Sequence, residues 1–115
     1  MAGALALAAW LAGACQFEEA ERRAEYEREL AAVVVADGVD EHEAKRLADE
    51  YFWRHISGCG MVLALVDRGS YWEGPAAFGY AGVPIDPLRI DKASGDVSWP
   101  GGPTVTAAEL QERRE

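Results

Sequence analysis

The chain is short of positive charge. Its 115 residues carry 11 Lys and Arg against 20 Asp and Glu, a formal net charge of −9 at pH 7. A nucleic-acid binder needs a basic patch for the phosphate backbone, so this balance argues against that class and against an anionic membrane surface. It fits a partner that is itself basic, because opposite fields steer encounter. Cysteine is scarce: Cys15 and Cys59 are far apart and form neither a disulfide framework nor a CxxC pair. Histidine is scarce too. His42 sits in Asp40-Glu41-His42-Glu43, where neighbouring helical residues point in different directions and do not converge on a metal. His55 stands near Cys59 across a helix stop, with no third residue to orient a thiolate–base pair. There is no HExxH, nucleophile elbow, P-loop or dinucleotide fingerprint. The expectation is therefore a non-enzymatic chain without cofactor or metal.

Half of the residues are apolar, enough for one folded domain with one core. Residues 1–15 are almost wholly apolar but too short to span a bilayer, and no Lys or Arg precedes them. They read as an Ala-rich helix. The alternative is a signal-like leader with lipid anchoring through Cys15, which would replace a cytoplasmic location by a membrane-anchored one.

Residues 16–56 read as helical. The first helix spans Gln16 to Ala36, with Glu18–Arg22 and Glu19–Arg23 pairs and a thin stripe of Phe17, Ala20, Ala24, Ala31 and Val34. Val33-Val34-Val35 is β-branched and leaves its end open between helix and short strand. Asp37-Gly38 stops it, and Asp40 with Glu43 forms a capping box for a second helix over about Glu41 to His55. Ala44, Leu47, Ala48, Tyr51, Phe52 and His55 make its apolar stripe.

Residues 60–99 read as sheet. Met61 to Val66 is a buried-type strand, Tyr71 begins the return, and Gly74-Pro75 bends it into an edge that runs on to Tyr80. Leu88 and Ile90 alternate with Arg89 and Asp91, as Val97 and Trp99 do with Asp96 and Ser98. This is a hairpin with one apolar face, closed by a turn in which Gly95 takes positive φ and Asp91 and Ser94 bond the backbone. Residues 106–115 form a short last helix. Thr106 caps it, Val105 and Leu110 staple it, and Arg113 and Arg114 close it. The fold class expected is α+β: one antiparallel sheet of about four strands with amphipathic helices against it.

The chemistry-bearing side chains gather around the strands. Trp72 and Tyr80 are aromatic anchors, and Asp67, Glu73, Asp86, Asp91 and Asp96 form an acidic rim, an arrangement suited to a basic protein. For Trp99 a place in the core is the simpler assignment.

The segment Gly82-Val83-Pro84 … Leu88-Arg89-Ile90-Asp91-Lys92-Ala93-Ser94-Gly95-Asp96-Val97 resembles the C-terminal signature of small bacterial immunity proteins of the YrhB-like family. A helix of the Ala44-to-Phe52 kind and a strand bearing Trp72 are similar too. The chain departs from the pattern where Ile85-Asp86 adds residues before the strand, and the charged helix from Glu18 has no counterpart. The resemblance implies a protein that occludes a cognate toxin, and it carries over no catalytic residues. A small enzyme or ligand-binding domain, with a pocket between helix and sheet, is the alternative.

Overall fold

The second helix forms where its cap predicts. A computed structural model of the chain describes residues 21–112, so the expectations for residues 1–20 and for Arg113 and Arg114 lie outside the described residues. We name the helical residues 21–31 α1, and α2 spans Glu41–His55. The Asp40 carboxylate accepts the Glu43 N–H at 2.8 Å, and the Glu43 carboxylate accepts the Asp40 N–H at 3.3 Å. Both first-turn donors are thereby satisfied. Ala44, Leu47, Ala48, Tyr51 and Phe52 are fully buried. His55 is the exception: it is exposed, with its ring 4.9 Å from that of Tyr51.

Five strands follow: β1 (Gly60–Val62), β2 (Val66–Asp67), β3 (Tyr71–Phe78), β4 (Val83–Asp91) and β5 (Val97–Ser98). All ladders are antiparallel, and β3 is the hub, flanked by β1 and β2 on one side and by β4 on the other. β3 is thus central rather than an edge. The register with β4 shifts between Gly74 and Ala76, a bulge, and Pro75 is tolerated because its missing N–H, like its carbonyl, faces the interruption between β1 and β2. The Pro75 carbonyl accepts the Leu63 N–H at 2.7 Å. Opposite that bulge the expected strand from Met61 to Val66 splits in two. Only Val62 and Leu65 of it are buried, while Met61, Leu63, Ala64 and Val66 are exposed.

The β4–β5 hairpin pairs Arg89 with Ser98 and Ile90 with Val97, so Leu88, Ile90 and Val97 all face α2. Asp91 Oδ1 accepts the N–H groups of Ala93 and Ser94 and the Ser94 hydroxyl. Gly95 has φ +74°, and a Cβ there would meet Val35 Cγ1 at 2.8 Å and the Ala107 methyl at 3.1 Å. Glycine is required on both counts. Trp99 packs beside the core and its indole N–H donates to the Asp86 carbonyl at 2.7 Å. Helix α3 (Ala107–Gln111) starts at Thr106, whose hydroxyl accepts the Glu109 N–H, and Val105 and Leu110 on either side of that cap are buried.

α1 ends at residue 31, five short of Ala36, and Val33 to Val35 join no strand. Its stripe is also a different one. Ala24, Ala31 and Val34 are exposed, and the packed side consists of Tyr26, Leu30 and Val33. The reason is a polar seam. Tyr26 donates its hydroxyl to the Arg46 carbonyl at 2.8 Å and lays its ring 5.0 Å from Trp53, while Glu29 pairs with Arg46. These contacts run α1 antiparallel to α2. The Gln111 side-chain amide donates to the Leu30 and Val33 carbonyls, closing the helix end that the β-branched residues abandon.

Candidate partner-binding groove

After α1 the chain crosses in extended form to α2 and is pinned to the sheet on the way. The Val39 N–H donates to the Lys92 carbonyl at 2.7 Å, and the Val39 carbonyl accepts the Trp72 indole N–H at 2.9 Å. The Glu43 carboxylate also holds the Val34 N–H at 3.0 Å. Between this linker and the sheet lies a groove of about 570 Å³, lined by Val34, Asp37, Gly38, Val39, Asp40, Glu43, Trp72 and Lys92.

One wall is acidic. Asp37, Asp40, Glu41 and Glu43 fall within seven residues that contain no Lys or Arg. The other wall is Trp72, which holds the Lys92 ammonium 4.5 Å from its ring centroid. The same ammonium bonds Asp67 at 2.5 Å. That bond and the Gly69 N–H hold the Asp67 carboxyl below its usual range. A cation over the face of an indole, with carboxylates around it, is a geometry that a partner's Lys or Arg can adopt as well.

The seven residues expected to bind do not form one surface. Trp72 lines the groove, and Asp67 is tied to it only through Lys92. Glu73, Asp91 and Asp96 lie at the same end of the sheet, toward its open face. Asp91 and Asp96 line a second, shallower depression of about 270 Å³ with Tyr71, Arg89, Ser94, Ser98 and Thr104. Arg89 stacks on Tyr71 there, 4.6 Å from the centroid, and Glu73 pairs with Arg68 at 2.9 Å. Asp91 is the pivot of the turn rather than a free rim acid. The bonds it accepts, from Ser94 above all, hold its carboxyl below the usual range. Asp86 is exposed midway along β4. Tyr80 is fully exposed in the β3–β4 turn, eight strand positions from Trp72 and so about 25 Å away.

Asp37, Asp40, Glu43 and Lys92 were not among the expected binders. The run of four acids without a base was visible in the chain. That the linker folds it against Trp72 was not.

Two buried titratable groups sit in the α1–α2 seam. Asp49 is pushed up by burial, against the opposing pull of Lys45 at 2.6 Å and of Arg46. Tyr26 is raised as well, first by burial and then by Glu50. Asp49 bonds within α2, while Tyr26 and Glu29 reach across from α1 to Arg46 and stitch the two helices together. His42 is exposed, 3.6 Å from Glu29. Among the described residues, no three His, Cys, Asp or Glu side chains converge to hold a metal, and no helix is long and apolar enough to cross a membrane. The space between α2 and the sheet is filled by Leu47, Tyr51, Phe52, Leu88, Ile90 and Val97. No family model, curated protein or solved structure matches the chain.

Proposed function

We propose that this chain is an immunity-type binding protein, non-catalytic and cytoplasmic, that neutralises a cognate bacterial toxin by covering its basic surface. The observation that carries the reading is the groove between the linker and Trp72. Its aromatic wall already holds one ammonium, that of Lys92, and its other wall carries Asp37, Asp40 and Glu43. A Lys or Arg of the partner enters alongside or displaces Lys92, gaining cation–π and carboxylate contacts in one place. The exposed carboxylate of Asp86 and the half-buried one of Asp96 extend the acidic field and speed encounter at low salt.

The test is capture from lysate of the source bacterium at low and moderate salt, with wild type beside Asp37→Lys/Asp40→Lys. The expected result is one stoichiometric basic protein, lost as salt rises and lost in the variant, whose toxicity co-expression of the wild type suppresses. Capture of no protein, or equal capture by the variant, overturns the reading.

A further inference from the structure

The two outer edges of the sheet are treated differently. On the β4–β5 side, Val105 bridges Val97 with two hydrogen bonds of 2.9 Å. Pro84 and Pro87 remove two N–H donors from β4, and Trp99 occupies the Asp86 carbonyl. Prolines and covering side chains are how edges are kept from pairing. The opposite edge, from Gly60 to Val66, has no proline and, among the described residues, no covering strand. Cys59 and Leu63 turn their peptide groups toward β3, bonding Gly79 and Pro75. By antiparallel alternation the Val62 N–H and C=O point outward, and no strand among the described residues pairs with them.

This edge is also free of the charge that keeps copies of an acidic chain apart. Gly60-Met61-Val62-Leu63-Ala64-Leu65-Val66 holds no charged residue, although the chain carries −9. Met61 and Leu63 beside it are 59% and 44% exposed. We propose that the β1 edge is a homodimer interface, in which a second copy of this chain adds its own β1 antiparallel across a two-fold axis near Val62. Such a contact is self-complementary: each copy supplies the donors and acceptors that the other lacks. It joins the two sheets into one and brings the Met61 and Leu63 side chains of both copies together. It leaves the linker groove free, because that groove lies beyond the opposite ends of β3 and β4.

Sedimentation equilibrium of the full chain, wild type and Met61→Glu/Leu63→Glu, tests it. Wild type is expected at twice the mass of one chain at micromolar concentration. The variant, with like charges forced together at the axis, is expected at the mass of one chain with an unchanged far-UV spectrum. A monomeric wild type overturns the proposal, as does a variant that stays dimeric, which puts the contact elsewhere. If the variant loses its fold, hydrogen exchange of wild type decides. The Val62 amide is expected to exchange more slowly as concentration rises, and a rate independent of concentration overturns the proposal.

Discussion

On the covered face of the sheet, Leu88, Ile90 and Val97 are fully buried with Leu47, Tyr51 and Phe52 of α2. On the open face, one position along the same strands, stand Arg89 and Ser98, with Glu73 opposite Arg89 across the β3–β4 ladder. The strands are identical for both faces, and the pleat alone sends alternate residues to opposite sides. What differs is the partner. α2 removes the covered side chains from water, where a single misfit is felt by every neighbour. No element among the described residues covers the open face, and its side chains are held one by one, by pairs such as Arg68–Glu73 and Arg89 over Tyr71. Stability is therefore concentrated on one face, and freedom to bind is left to the other and to the linker groove at its end.

Phe52→Ala should break this contrast most. It empties a fully buried ring site and is expected to cost about 3–5 kcal/mol by chemical denaturation. A loss under about 1 kcal/mol would mean the covered face is not the stabilising one.

Asp91→Asn probes the seam between the faces, at the turn that sets their register. The variant keeps an acceptor but removes the charge, and is expected to cost about 1 kcal/mol near neutral pH. The sign with pH follows from the lowered carboxyl. A depressed folded pKa adds stability above the unfolded value, about 3.9, and that stability is lost as pH falls through the folded value. Wild type and variant should therefore converge as pH falls below the unfolded value and through the folded one. Curves that stay parallel throughout acid titration would remove Asp91 from the account of the turn.

Val66→Thr should do least. Val66 lies on the open face opposite Glu73, and the change is expected to stay within about 0.5 kcal/mol. A larger loss would mean that the open face is covered and the contrast is misdrawn.

The local signals were legible in the chain wherever the partners are a few residues apart. Asp40 and Glu43 announced α2, and the spacing of Ala44, Leu47, Ala48, Tyr51 and Phe52 announced its buried side. Asp91, Ser94 and Gly95 announced the hairpin and its register. The packed face of α1 carries no apolar period to mark it, because it is tied to α2 by polar contacts. Arg46, Trp53 and Gln111 are recruited from elements that lie far along the chain, and no apolar period marks them. The strand from Met61 was read as buried because its composition is apolar. It is interrupted between Val62 and Val66, opposite Gly74-Pro75, and the pleat sends Met61 and Leu63 to the face opposite Val62.

The site divides in the same way. The sequence by itself determined an acidic chain with few nucleophiles, a capped amphipathic helix and a self-locking hairpin, since each depends on composition or on contacts within one turn. Only the tertiary structure decided that the hydrogen bonds of Val39 to Trp72 and Lys92 bring Asp37, Asp40 and Glu43 to face the indole. It also decided that Tyr80 stands at the far end and that one sheet edge is unpaired among the described residues. Those outcomes depend on which strand neighbours which, and neighbours across a sheet are set by the packing of the whole core rather than by any local run of residues.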